Sequence, residues 1–390
     1  MNYCPAGAVQ RDRNVEDGGR PEASSAEALI ERCVSIDLEV DPKTNRIQSF
    51  AGVRSGFDRA FVYSRGDLSQ ALEALDEFAD TSEFVLAHNL INFDALQLEA
   101  AKPDLKLLKK PMIDTLWLNP LAFPRNPYHH LVKHYQDGRL QSGHVNDPEL
   151  DCQLVLTVLS NQIDALAVLE RNDPETLRAY HYLATTRSER DGFDAVFTHI
   201  RGGNRPHKED AQAAMRGLLR QHACIHQIET VIPEAERDGW PLVYALSWIS
   251  VAGGDSVMPP WVRHQFPEAS RLVRRLRDTP CSDPACSWCR AQNDPKVLLE
   301  TWFGFENFRP NPKGPDGKPL QETIVATALG KDPILGILPT GTGKSVCYQI
   351  PALAQFQKTG ALSVVISPLV ALMADQVEGM RRQGITSCVT

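Results

Sequence analysis

Asp37 and Glu39 stand two residues apart in the stretch CVSIDLEV. On a strand, residues two apart leave the same face, so both carboxylates would point one way. Two like charges on one face of a central strand are costly unless a cation offsets them. Asp94, in AHNLINFDAL, and Asp151, in NDPELDCQLVLTVL, each stand at the start of a helical pattern. Four carboxylates from a strand and two helices can hold two divalent ions, Mg2+ or Mn2+. One such ion activates water, and the other stabilises the leaving oxygen of a phosphodiester. The plain alternative is a set of solvated acids at a strand edge. His144 lies seven residues before Asp151 and five before Glu149. It is the candidate general base, with an ordinary loop histidine as the alternative. The second spacing leaves open a register in which Glu149 is the last ligand; Asp151 is preferred because DCQLVLTVL continues as a helix.

The stretch PTGTGKS, residues 339–345, calls for phosphate chemistry. Glycines let backbone N–H groups wrap a phosphate without a Cβ in the way. Lys344 would reach the β- and γ-phosphates and Ser345 would hold Mg2+. Thr340, Gly341, Thr342 and Gly343 complete the loop. DPILGIL before it reads as a short strand, and KSVCYQIPALAQF after it reads as the start of a helix. Leu338 stands where the general pattern has Gly or Ala.

Cys281, Cys286 and Cys289 form C-x4-C-x2-C. Thiols separated by short turn-forming loops suit tetrahedral Zn2+. Cys224, His222, His226 and His264 are the options for a fourth ligand, and an iron–sulfur cluster would require Cys224. Free surface thiols are the alternative. Two basic stretches, RLVRRLR and the one with His129, His130, Lys133, His134 and Arg139, could touch a nucleic-acid backbone or be solvated helix faces.

The elements that must carry these residues follow from periodicity. CVSIDLEV, RIQSFAGVRS and RAFVYSR read as three strands and FVLAHN as a fourth. DLSQALEALDEFA reads as a helix capped by Asp67 or Ser69, FDALQLEAA as another, and PMIDTLWL as a strand or extended piece. DPELDCQLVLTVLSNQIDALAVL is a long helix started by Asp147 and Pro148. PETLRAYHYLA, KEDAQAAMRGLLRQHACIHQIETVI and EASRLVRRLRD read as helices, and CSDPACSWCRAQNDP as a loop. The expected class is α/β with one mixed sheet, then a mostly helical region.

The 390 residues carry a net charge of −8, with 42% hydrophobic and 23% charged residues. That is ordinary globular composition and gives no global argument for nucleic-acid binding, which local patches decide. No apolar run approaches the ~20 residues of a membrane helix. Nine cysteines without a signal-peptide pattern suit thiols or metal ligands, and a cytoplasmic location is expected.

Two resemblances follow from these motifs. FGFENFRP, LQETI, the phosphate loop and VVISPLVALMADQV, in that order, resemble the RecQ family of superfamily 2 DNA helicases over roughly Leu298 to Thr390. The resemblance implies a RecA-like parallel-sheet domain, ATP as cofactor, adenine recognition by Gln321 with Arg309 beside it, and DNA as partner. It also implies parts that are missing from the sequence: a water-activating acidic motif and a second motor domain. The chain is therefore expected to be a truncated motor that does not unwind DNA alone. The acids Asp37, Glu39, Asp94 and Asp151, with HNLINFD, resemble the DEDD family of 3′–5′ exonucleases, of ribonuclease-H-like fold, over Arg32 to Leu169. Relatives place His five or Tyr four residues before the last Asp, where this chain has Asn146 and Asp147. IDT at 113–115 fits the family's pattern, with Asp114 as a supporting residue. The expected organisation is a disordered leader over 1–30, an exonuclease-like domain over 31–170, a helical region with a cysteine knuckle over 171–295, and a partial helicase domain over 296–390. The expected partner is single-stranded DNA or DNA 3′ ends. A non-catalytic nucleic-acid-binding module and an RNA exonuclease are the alternatives.

Overall fold

A central strand buried along its first half organises the first sheet. In a computed structural model of the chain, β1 (Cys33–Val40) pairs antiparallel with β2 (Ile47–Arg54), which pairs antiparallel with β3 (Phe61–Tyr63). On its other edge β1 runs parallel to β4 (Phe84–Ala87), and β4 runs parallel to β5 (Met112–Asp114). The order is β3-β2-β1-β4-β5. The structure describes residues 25–126, 129, 131, 135–136, 139–140, 147–185, 192–252 and 258–389.

The helices are α1 (Ser25–Ile30), α2 (Leu68–Phe78), α3 (Ala95–Ala101), α4 (Thr115–Ala122), α5 (Pro148–Asn172), α6 (Pro174–Ala184), α7 (Phe193–Arg201), α8 (Lys208–Leu219) and α9 (Ile225–Val231). They continue with α10 (Ala235–Ser250), α11 (Pro260–Gln265), α12 (Pro267–Asp278), α13 (Ser287–Asn293), α14 (Pro295–Phe303), α15 (Leu320–Leu329), α16 (Val346–Thr359) and α17 (Val370–Arg382).

Three expectations change. PMIDTLWL is strand only to Asp114 and then turns into α4, because the Asp114 carboxylate caps that helix through the Leu116 N–H. KEDAQAAMRGLLRQHACIHQIETVI divides into α8 and α9, and CSDPACSWCRAQNDP contains α13.

The two faces of the sheet have different covers. Val34, Ile36, Leu38 and Phe50 pack with Leu72, Leu75 and Leu98 from α2 and α3. On the opposite face Cys33, Leu86 and Ile113 join Val155, Leu159 and Ile163 of α5. That cluster continues without a break through the helices to Leu276. The helical region thus shares its core with the sheet. By length and composition α5 is apolar enough to cross a membrane, although charged and amide side chains interrupt the run in sequence. A third of that stretch is buried, and its buried residues pack in the core beneath the sheet.

A glycine permits the closest approach in this core. The Gly192 N–H donates to the Met112 carbonyl at 2.7 Å, and a Cβ there would lie 2.6 Å from Ile113 Cγ1. Gly192 thereby lets α7 start directly against β5.

A separate small cluster of Leu298, Leu299, Phe308, Val325, Leu329, Ile350 and Ala354 holds α14, α15 and α16 together. The parallel sheet expected here is absent among the described residues. Residues 332–339 and 361–367 have no ladder partner. Leu335, Ile337, Leu362 and Ile366 are 80% or more exposed. Apolar, β-prone sequence becomes a strand only where a neighbour supplies its hydrogen bonds.

Candidate functional site

The acids are brought together by the end of the sheet. β4 pairs with β1 only at Cys33, Val34 and Ser35, so β1 runs on beyond it and exposes Asp37 and Glu39. A register irregularity between Glu39 and Val40 marks the same end. Asp37 and Glu39 share the face of Ser35, whose hydroxyl donates to the Cys152 carbonyl at 3.0 Å. The Cys152 thiol in turn reaches the Ala51 carbonyl, opposite Asp37 across the ladder. These contacts fix the first turn of α5 against β1 and β2 and place Asp151 over the strand. Oxygens of Asp37, Glu39 and Asp151 lie within 4.8 Å of one another.

Asp94 arrives from the other side. The chain leaves β4 through Asn89, in the left-handed region at φ 74°, into a π-helical turn over Leu90–Asp94. Asp114 holds that turn by accepting the N–H groups of Asn89 at 2.9 Å and Ile91 at 3.0 Å. Asp94 is buried, and its Oδ1 accepts the Leu38 N–H at 3.3 Å. Burial first, and then the charges of Asp37 and Asp114, push its carboxyl well above the usual range. Burial likewise raises Asp114, to about 6, against its backbone donors. Two half-buried and two buried carboxylates, mutually repelling, are the donor set a hard dication takes.

The residues around α5 have other tasks. Asp147 caps the helix by accepting the Glu149 and Leu150 N–H groups at 3.1 and 3.2 Å. His144 and Asn146 lie outside the described residues, as do His130, Lys133 and His134. His129 is buried, so it is not a surface phosphate contact. It donates from Nε2 to the Asn126 carbonyl and accepts the Trp261 N–H. His88, which no sequence signal singles out, bridges Thr115 Oγ1 and the His129 carbonyl.

In the phosphate loop, Gly341 and Gly343 have φ of 80° and 75°, conformations that only glycine adopts readily. Lys344 Nζ donates to the Leu338 carbonyl at 2.9 Å, and Ser345 immediately precedes α16. Gln321 is nearly fully buried. Its Nε2 donates to the Thr342 and Gly343 carbonyls at 2.7 and 2.9 Å, and its Oε1 accepts the Arg309 N–H at 3.1 Å. The Arg309 guanidinium donates to the Gly341 carbonyl. Arg309, Gln321 and the loop therefore form one unit, with the Gln321 amide turned onto the loop's own carbonyls. Thr342 braces the turn through the Pro339 carbonyl, and Thr340 is at its exposed tip.

The cysteines form the third constellation. Cys281, Cys286 and Cys289 meet Cys224, the residue that starts α9. Of the candidate histidines, His226 lies within 4.8 Å of the sulfurs of Cys224, Cys281 and Cys286, and His222 and His264 do not join them. Burial raises the Cys286 thiol, but the Cys289 N–H and the neighbouring thiols outweigh it and hold it at about 7.

Comparison with known proteins bears on one of these constellations. Residues 318–389 match the DEAD/DEAH box helicase family. The "ATP-dependent DNA helicase RecQ" of Pasteurella multocida is 46% identical over 88 residues, which is 23% of this chain and 12% of that protein. The "ATP-dependent helicase SGS1" of Saccharomyces cerevisiae is 43% identical over 87 residues, 22% of this chain and 5% of that protein. The human "ATP-dependent DNA helicase Q4" is 48% identical over 78 residues, 20% of this chain and 6% of that protein. The chain thus covers about an eighth or less of these relatives. No solved structure matches it. The segment built around Gln321 and Lys344 is similar to a part of RecQ-type ATP-dependent DNA helicases.

Proposed function

We propose that this chain joins a metal-dependent 3′–5′ DNA exonuclease site to an ATP-binding segment of RecQ type. The observation that carries the nuclease half is the meeting of Asp37, Glu39 and Asp151 within 4.8 Å, with Asp94 beside them. Mg2+ or Mn2+ held there would supply an activated water and charge for the leaving oxygen. Asp37, Glu39 and Asp151 would hold it, and Asp94, anchored by Leu38, would complete the set. The mixed sheet, with its acids at the open end of β1, supports the ribonuclease-H-like reading. His144 remains the proposed proton acceptor, since Asp147 is occupied as a helix cap.

For the ATP-binding half, the helicase match over residues 318–389 and the joined Arg309–Gln321–loop unit support nucleotide binding. Lys344 would leave the Leu338 carbonyl for the phosphates, with Ser345 on the accompanying Mg2+. Gln321 would exchange its loop carbonyls for adenine.

The occupied Asp147 also favours a second reading, a nucleic-acid-binding module whose nuclease site lacks a base. A 5′-labelled DNA oligonucleotide incubated with Mg2+ or Mn2+ separates the two. A shortening ladder that Asp37→Ala abolishes is expected. Retarded but uncut DNA would leave the binding module. An RNA competitor tests the sugar preference.

A further inference from the structure

Four thiols from three separate places in the sequence converge beside the phosphate-loop helix. Cys224 starts α9, and its N–H donates to the Leu276 carbonyl in the last turn of α12 at 3.0 Å. Cys281 follows the end of α12, Cys286 starts α13, and Cys289 lies in the first turn of α13. Cys224 Sγ is 3.8 Å from Cys286 Sγ, and Cys289 Sγ is 3.7 Å from Cys281 Sγ. These are not disulfide distances. A tetrahedral ion with metal–sulfur bonds of about 2.3 Å sets its ligand sulfurs about 3.8 Å apart. A cubane iron–sulfur cluster binds each thiolate to a different iron, so its sulfurs stand further apart than this. The Cys281 N–H points at Cys289 Sγ at 3.5 Å, as a donor to a thiolate would.

We propose that Cys224, Cys281, Cys286 and Cys289 form a mononuclear four-thiolate site for Zn2+, which fixes the end of α12 to α13. His226 is the competing fourth ligand, because its ring nitrogen and the sulfurs of Cys224, Cys281 and Cys286 all lie within 4.8 Å of one another, whereas Cys289 joins them through its 3.7 Å contact with Cys281. The His226 side chain is half exposed and faces Asp283 at 3.7 Å, so it serves as an outer neighbour of the site.

The position of the site gives it a task. Arg277, four residues before Cys281, is buried between Trp248 and Trp288. Its guanidinium donates to the Gln357 and Lys358 carbonyls, both at 2.9 Å, at the C-terminal end of α16. Asn293, at the end of α13, donates to the Cys289 carbonyl and accepts from Lys358 Nζ at 2.7 Å. The phosphate loop starts this same helix. The ion thus holds the two segments that cap the far end of α16.

The test uses the full chain. Metal analysis after purification is expected to give one Zn2+ per chain, and Co2+ exchange is expected to give the intense visible bands of a four-thiolate tetrahedron. Cys224→Ser and Cys289→Ser should each weaken binding at least about tenfold, whereas His226→Ala should retain it. Removal of the ion by a chelator should speed amide exchange in the last turn of α16 while leaving that of β1 and β4 unchanged. Iron with labile sulfide, or no stoichiometric metal, would overturn the site. Loss of binding in His226→Ala with retention in Cys289→Ser would overturn the ligand set. Unchanged exchange in α16 would remove the coupling. The Co2+ spectrum of the wild-type chain counts thiolates even if a cysteine variant fails to fold.

Discussion

At the scale of single residues, the acids show how burial and charge oppose stability where chemistry is prepared. Asp94 lies buried beside the charges of Asp37 and Asp114. Asp94→Asn keeps the acceptor for the Leu38 N–H and removes one of the repelling charges. In chelator the variant should melt higher, by about 2–4 °C if ~1 kcal/mol is relieved. Mg2+ should then add less stability than it adds to the wild type. Equal Mg2+ stabilisation of both would remove Asp94 from the ligand set. His181 makes the opposite case. Arg201 can only donate, so its contact with Nδ1 leaves the proton on Nε2, facing Asp194 at 2.7 Å. The imidazole is therefore neutral. Burial, the largest cause, lowers its pKa from the ordinary 6.5 even against Asp194. The unfolded chain then takes up the proton first as pH falls. Stability is full above about 6.5 and declines below it, by at most ~1.4 kcal/mol per pH unit. Urea unfolding at pH 7 and pH 5 should show this loss, and His181→Gln should reduce it.

At the scale of elements, caps and turns decide which residues remain for function. Asp147 stands at a position where a general base is expected, but its carboxylate holds two N–H groups of α5. Asp147→Ala should cost about 1 kcal/mol, and Asp147→Asn should cost little, because Asn caps as well as Asp. A nuclease assay then separates the roles. If Asp147→Asn folds normally and still loses activity more than about tenfold, the carboxylate is a base as well. Gly343 offers a similar test in the phosphate loop. A methyl group there would stand 3.1 Å from Gln321 Nε2 on a backbone at φ 75°. Gly343→Ala should lower nucleotide affinity at least about tenfold, as measured by titration with a fluorescent ATP analogue. The sheet, the capping of α2 by Asp67 and the start of α5 were all legible in the sequence, because alternation and cap residues are local signals. The meeting of β1, the π-helical turn and α5 was legible only through the acids themselves. The segment around DPILGIL misled for the complementary reason. Its composition is that of a strand, but a strand needs a ladder partner, and the described residues provide none.

At the scale of the whole molecule, the junction between the helical region and the helicase-like segment rests on charge, which hydrophobic patterning does not announce. Lys358 is fully buried in α16, with Asp278 Oδ1 at 3.3 Å and Asn293 Oδ1 at 2.7 Å. Asp278 also receives Lys331, two residues past the end of α15. Two cations from the helicase-like segment thus converge on one carboxylate at the end of α12, beside the Arg277 contacts to α16. Burial lowers the Lys358 pKa, and Asp278 opposes that. Removing one member of a buried pair leaves the other charged and without compensation, which typically costs about 3–5 kcal/mol; replacing a pair by apolar groups of similar size is much milder. Asp278→Ala should therefore destabilise the junction by about that amount, and the double variant Asp278→Leu with Lys358→Met should recover much of the loss. Hydrogen exchange locates the effect. The single variant should deprotect α15 and α16 while β1, β4 and α5 keep their protection, because α15 and α16 are held by a small cluster separate from the one that holds the last three. Uniform deprotection would mean that the chain unfolds as one unit, and that the salt-bridged seam does not define where it first comes apart.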